Sequence, residues 1–247
     1  HHLIDCRDFN EGYSVSDFQN DVRQLIDEIS ARGHLPMIVG GTGLYIRAAL
    51  YDYRFDDTGH EVNFAKKYAH YNNQKLHDYL ASFDKTSASQ IHPNNRHRVL
   101  RAIEIYETTG KTKSEQIEAD VSEPLYDTLV LGLNLERKKL YARIEQRVEQ
   151  MFEAELLEEF KSIVALGATA DMQSMKAIGY RELFDYINGK ATLKEVKDKI
   201  CLDSRRYAKR QMTWFKHQMN VQWIEVDLDN FDATIADAKT LSLKWLQ

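Results

Sequence analysis

Apolar residues fall into a few short continuous runs, separated by long stretches in which they recur every three or four positions. The first run, His2-Leu3-Ile4-Asp5, predicts a short strand, and Asn10-Glu11-Gly12 turns the chain. Phe18, Val22, Leu25, Ile26 and Ile29 then share one face of a helix. Ser14 or Ser16 is its expected N-cap, and Arg32-Gly33 its expected end. Met37-Ile38-Val39 predicts a second strand, and strand, helix and strand in that order predict a right-handed parallel crossover. Gly40-Gly41-Thr42-Gly43 breaks the run, and Leu44, Tyr45, Ala48 and Ala49 open a helix over 44–50.

The texture changes after Tyr51. Residues 56–70 are polar and charged, and short helices are predicted over 61–72, 75–83 and 86–91. His92 precedes a proline and breaks the chain. Asn94 or Asn95 caps a longer helix through Val99, Leu100, Ala102, Ile103 and Tyr106, which ends near Gly110. The apolar run 129–135 predicts a core strand. Helices follow over a long stretch from Glu136, then 156–166, 174–186 and 193–217. Residues 221–226 alternate as a strand, and a helix over 233–246 closes the sequence. The pattern predicts an α/β protein: a core of 1–55 and 121–247 with a helical insertion at 56–120.

Composition narrows this picture only slightly. The 247 residues are 43% hydrophobic and 29% charged, so a packed chain is expected rather than a disordered one. Only three prolines and eleven glycines argue for abundant helix. No apolar run approaches membrane-spanning length, so no membrane partner is expected. Cys6 and Cys201 have no metal-type spacing and predict reduced thiols in a cytoplasmic protein, with Cys6 a small core residue. The net charge of −5 gives no global sign of a nucleic-acid partner, although a local basic patch would suffice for one.

Three stretches could carry chemistry. The loop 40–43 lies between a predicted strand and a helix, where glycines let backbone N–H groups approach an anion and the helix end adds partial positive charge. A plain strand-to-helix turn explains the same residues. In 205–217, Arg206, Lys209, Arg210 and Thr213 lie along one side of a helix beside Tyr207, Trp214 and Phe215. Such a side suits diphosphates and nucleic-acid backbones, or only water. In His92-Pro93-Asn94-Asn95-Arg96-His97-Arg98-Val99-Leu100-Arg101, Arg98 and Arg101 lie one turn apart, as a backbone-binding patch or as surface charge. Gly110-Lys111-Thr112 is not a phosphate-binding P-loop, because the earlier glycine is missing and the segment follows a helix. His34 and His60 have no partner spacing for a metal.

Taken in order, these blocks resemble the tRNA dimethylallyltransferases, or tRNA isopentenyltransferases. The resemblance is carried by His1-His2-Leu3-Ile4-Asp5, Tyr13-Ser14-Val15 with Phe18, Val39-Gly40-Gly41-Thr42-Gly43-Leu44-Tyr45, and His92-Pro93-Asn94 with Arg98 and Arg101-Ala102. Thr109-Gly110-Lys111, Ala177-Ile178-Gly179-Tyr180 with Glu182, and Tyr207-Ala208-Lys209-Arg210-Gln211 with Thr213-Trp214-Phe215 complete it, so that it reaches about Trp223.

The resemblance implies a P-loop NTPase-like parallel-sheet core with an inserted all-helical domain that grips the tRNA anticodon stem-loop. It implies transfer of a dimethylallyl group from dimethylallyl diphosphate, with Mg²⁺, to the N6 amine of the adenine 3′ to the anticodon. Thr42 and Arg210 are then the expected catalytic residues. Gly40, Gly41, Gly43 and Lys209 would line the diphosphate channel, and Arg98, Arg101, Gln211 and Arg206 would contact tRNA. A monomer is expected. A catalytically silent RNA-binding relative and an enzyme prenylating free adenine nucleotides are the alternatives. The family's P-loop, and its Asp-Ser block with the general base, are absent here. A preceding segment of about eighty residues, the usual size of such a βαβ start, is expected to hold them together with the Mg²⁺ ligand, which this chain lacks. Asn95 stands where the family usually has Asp, Lys176 where it has Gln, and Glu155 where it has Gly.

Overall fold

A computed structural model describes residues 1–53, 64–118 and 124–247 of the chain. It is helix-rich, with one small parallel sheet, and divides into two compact units: His1–Arg47 with Asp127–Gln247, and Ala48–Tyr126. The predicted boundaries at 55/56 and 120/121, and His60, lie outside the described residues.

The first unit opens with α1 (Val15–Ala31), whose N-cap is Ser14. Ser14 Oγ accepts from Asp17 N, and Asp17 returns the bond to Ser14 N at 2.7 Å, so two otherwise orphaned donors at the helix start are satisfied. Gly33, at φ +74°, takes the left-handed turn that ends this helix. α2 (Gly43–Leu50) follows the Gly-rich loop.

Two predicted strands do not form. Leu3 and Asp5 sit at φ +56° and +53°, which breaks the extended pitch, and no ladder holds 37–39. A strand needs a neighbour as well as an apolar run, and among the described residues 37–39 has none. Met37 is 81% exposed and Val39 94%. The predicted crossover is therefore not present. Cys6 is exposed and not a core residue, because the chain around it makes no packed element.

In the second unit the chain enters and leaves side by side: Tyr51 bridges Pro124, and Leu125 N donates to Leu50 O at 2.7 Å. Its helices are α3 (Phe64–Lys67), α4 (Asn73–Phe83), α5 (Lys85–Gln90), α6 (Arg96–Thr109) and α7 (Lys113–Glu118). Residues 61–63 of the helix predicted over 61–72 lie outside the described residues, and only Phe64–Lys67 of the remainder is helical. Asn95 caps α6, and Gly110 at φ +72° ends it. Leu76 and Leu80 from α4 meet Val99, Ala102 and Ile103 from α6 in a closed apolar core.

Back in the first unit, β1 (Leu131–Asn134) and β2 (Gln222–Glu225) pair in parallel, Leu131 opposite Gln222 and Asn134 opposite Glu225. Between them run α8 (Arg137–Glu153), α9 (Leu156–Ala165), α10 (Tyr180–Ile187) and α11 (Leu193–Gln218), and α12 (Phe231–Trp245) follows. Phe160, Met175, Leu183, Val196 and Ile200 form their core. The helix predicted over 174–186 is interrupted. A short 3-10 turn at Ser174–Lys176 ends in extended Ala177, and Gly179 at φ +110° restarts the chain as α10. Glu155 joins α8 to α9 at φ +64°, a conformation that costs an ordinary L-residue about 1–2 kcal/mol and glycine almost nothing. Lys176 is exposed.

Candidate active site

Thr42 lies directly before α2, and its carbonyl accepts from Tyr45 N (2.9 Å) and Ile46 N (3.2 Å), so it opens the helix. Its side chain is exposed. Tyr45, one turn on, donates to Tyr13 O at 3.3 Å and packs its ring on Phe18, 5.1 Å between centroids. Tyr13 is in turn clamped by Gln173, which accepts from Tyr13 N at 3.2 Å and donates to Tyr13 O at 2.8 Å. The Tyr13-Ser14-Val15 and Leu44-Tyr45 blocks are thus parts of one support under the loop.

The other wall is α11. Gln211 Nε2 donates to Gly41 O at 2.9 Å, and Arg47 Nη1 donates to Gln218 Oε1 at 2.7 Å. A Cβ added to Gly43 would fall 2.1 Å from Trp214 Cε3, and one added to Gly41 would fall 2.1 Å from Gln211 Nε2. Gln211, Trp214 and Gln218 are spaced as one face of a helix. That face meets Gly41, Gly43 and Arg47 in turn. Gly43 is therefore required by the close approach of the Trp214 ring, and Gly41 leaves room for the Gln211 amide, neither of which the sequence alone revealed. Gly40 has open space around it.

The adjoining side of α11 faces solvent. Arg206, Lys209, Arg210 and Thr213 are all exposed. Arg206 reaches Asp203 at 3.3 Å, and Arg210 lies over the Tyr207 ring at 5.8 Å. No ion pair or side-chain hydrogen bond holds Lys209 or Arg210 among the described residues. At 3.6 residues per turn Arg210 flanks the helix face that carries the Gly-rich loop, whereas Lys209 projects to the far side of α11. The arrangement offers charge, backbone amides and a hydroxyl to an anionic ligand.

Glu182 explains part of the Ala177-Ile178-Gly179-Tyr180 block. It is fully buried, accepts from Gly179 N at 2.8 Å and pairs with Arg181, which also holds Asp203 of α11 at 2.8 Å. The hydrogen bond and charge of Glu182, with Asp203 beside it, raise the Arg181 pKa. Burial pushes the Asp203 carboxyl up, but the bond and charge of Arg181 outweigh it and hold the group low. This chain of charges fixes α10 against the basic helix.

Arg98 and Arg101 belong to the second unit, on α6. Arg98 is exposed, whereas Arg101 pairs with the buried Glu104 at 2.8 Å. Arg96 points inward: its guanidinium donates to Tyr71 O and Tyr68 O, both at 2.7 Å. Lys113 was not singled out from sequence. Burial first, and then the charge of Arg98, lower its pKa, with Arg101 adding to the effect and Asp84 opposing it, so it stands in the field of the same arginines. The signal was available: α7 starts just after the Gly110 turn that ends α6, and the two helices are in contact.

Among the described residues, no three His, Cys, Asp or Glu side chains group to hold a metal, and no helix is long and apolar enough to cross a membrane.

A family profile described as IPP transferase matches residues 1–218. The tRNA dimethylallyltransferase of Bacillus licheniformis is 47% identical over 234 residues, covering 92% of this chain and 73% of that protein. The protein of the same name from Anoxybacillus flavithermus is 46% identical over 229 residues, covering 93% and 73%. A crystal structure of a tRNA Δ2-isopentenylpyrophosphate transferase from Staphylococcus epidermidis is 40% identical, with a TM-score of 0.66 over 100% of this chain and 81% of that one. A eukaryotic dimethylallyltransferase acting on tRNA is 26% identical, with a TM-score of 0.79 over 97% of this chain and 63% of that one. With a profile match over most of its length and relatives this similar, the chain belongs to the IPP transferase family.

Proposed function

We propose that the protein transfers a dimethylallyl group from dimethylallyl diphosphate to the N6 amine of the adenine 3′ to the anticodon in tRNA. The observation that carries this reading is the loop 40–43 seated on α11, where the exposed Arg210 next to Gln211 makes no ion pair or side-chain hydrogen bond among the described residues. In the reaction the adenine nitrogen attacks C1 of the allyl group. The C1–O bond breaks, the diphosphate leaves with the electron pair, and the amine proton passes to a base. The difficulty is charge building on the diphosphate, so its donors matter most. Arg210 neutralises that charge, backbone N–H groups near Gly40 shape the site, and Thr42 places its hydroxyl at the reacting centre.

The finer architecture follows the same reading. The helical unit would be an insertion in a P-loop-type core, and Arg98 and Arg101 would meet the phosphates of the anticodon stem-loop. Gln211 and Arg206 would face tRNA from α11. The adenine must leave its stack to reach the amine acceptor, at a cost of a few kcal/mol that pocket contacts offset. Mg²⁺ would accompany the diphosphate. The described residues do not supply a cage for it.

The test is incubation with tRNA and dimethylallyl diphosphate, followed by nucleoside mass spectrometry. Appearance of N6-dimethylallyladenosine at the position next to the anticodon is expected. Transfer to free adenine nucleotides in preference to tRNA, or tRNA binding with no transfer, would overturn the proposal.

A further inference from the structure

Gln211 is half-buried, and its amide is spent on the backbone of the Gly-rich loop: Nε2 donates to Gly41 O at 2.9 Å across 170 residues of sequence. The carbonyl of Gly41 and the N–H of Thr42 belong to one rigid peptide plane. A donor fixed on that carbonyl therefore fixes the direction of the Thr42 N–H and the start of its side chain. Two further contacts make the arrangement stiff. Trp214 fills the space over Gly43, edge-on to Phe215 at 5.1 Å between centroids, and Gln218 holds Arg47. Arg210 precedes Gln211 directly on the same helix. The amide thus links the two residues assigned above to the reacting centre.

We propose that Gln211 is a positioning residue of the transfer reaction, which sets Thr42 against Arg210 through the Gly41 carbonyl instead of serving only as a tRNA contact. The inference rests on the functional reading given above for its kinetic part, and on geometry alone for its structural part. A slight misplacement of reacting groups can cost up to a hundredfold in rate, so a residue of this kind acts on kcat.

The glycine opposite supplies a matched perturbation. A Cβ on Gly41 would collide with the Gln211 amide, which is the far end of a flexible side chain and can swing aside. Gly41→Ala should therefore break the bond at little cost to folding, and Gln211→Ala should break it from the other side. Two changes that remove one interaction do not add.

Three readouts decide the matter. In steady-state transfer, Gln211→Ala and Gly41→Ala should each lower kcat about 10- to 100-fold, while KM for tRNA stays within about threefold. The double variant should be no worse than either single one. Gln211→Lys, which keeps a donor, should recover part of the rate, and Gln211→Glu, the same shape without a donor, should not. Amide hydrogen exchange, read independently of activity, should speed up roughly fivefold to tenfold at 42–44 in Gln211→Ala, the scale of one lost hydrogen bond. A rise in KM for tRNA with kcat unchanged, additive effects of the two alanine changes, or unaltered exchange at 42–44 would each overturn the proposal. If the unaltered protein transfers nothing, the functional reading falls by itself, and the exchange measurement still decides whether Gln211 positions the loop.

Discussion

The two basic helices, α6 in one unit and α11 in the other, use similar residues for opposite ends. On α6, Arg96 donates to two backbone carbonyls and Arg101 holds the buried Glu104. On α11, Arg205 pairs with Glu145 and Arg206 touches Asp203, but Lys209 and Arg210 make no ion pair or side-chain hydrogen bond among the described residues. A cation tied to buried partners is part of the fold, and its removal strands those partners. An exposed cation left untied is available to a ligand. Both helices read as basic surface in the sequence, and only the structure separates the two kinds of charge.

The largest expected effect comes from an untied residue. Arg210→Ala should reduce turnover by roughly 10²–10³, the usual scale for removing one donor to a developing anion, and should weaken diphosphate more than tRNA. Steady-state kinetics against both substrates checks this. A loss confined to tRNA affinity would move Arg210 to the RNA surface.

The tied residue should behave in the opposite way. Arg96→Ala leaves the carbonyls of Tyr68 and Tyr71 without their charged donor and should cost about 2 kcal/mol of stability. Chemical denaturation followed by a probe in the Ala48–Tyr126 unit would show it, and an unchanged midpoint would break the comparison.

Acid should find the same unit through its committed carboxylates. Burial pushes Asp84 up, but bonds from Ser87 and Ser114 outweigh it and hold the group below its usual value. Burial likewise opposes Glu107, where bonds from Lys67 and Tyr68 prevail. Both folded-state pKa values are depressed. Their stabilisation is therefore complete above the unfolded values of about 4 and fades as pH falls through the folded ones. Melting followed from pH 6 down to pH 2 should show stability lost only below about pH 4, and Asp84→Asn should flatten part of that loss. A decline beginning nearer neutrality would contradict it.

The smallest effect belongs to the exposed Arg98. Arg98→Ala should leave the melting temperature unchanged and lower the slope of log K for tRNA against log salt by about 0.7–0.9, one phosphate contact. An unaltered slope would return Arg98 to ordinary surface charge.

Much of the helical structure was legible because its signals are local. Phe18, Val22 and Ile26 give the face of α1, Ser14 its cap and Gly110 the end of α6. What failed was non-local. Met37-Ile38-Val39 has the composition of a buried strand, but pairing depends on a neighbour that a local pattern cannot specify. The break at 177–179 lay inside a helical periodicity, where Gly179 alone hinted at it. In the site, the residue types and their order carried the resemblance. The contacts at Gly41 and Gly43 were not legible, because the side chains that meet them lie about 170 residues away. Nor could sequence distinguish Arg96, which faces carbonyls, from Arg98, which faces water.

If Arg210 is held for a ligand and not for the fold, its removal should slow the reaction and leave the fold intact. The most direct measurement is the single-turnover transfer rate of Arg210→Ala at saturating tRNA and dimethylallyl diphosphate, taken on protein whose melting temperature is recorded alongside. The rate should fall by roughly two orders of magnitude or more with the melting temperature unmoved. An unchanged rate, or a melting temperature that falls as far as that of Arg96→Ala, would contradict it.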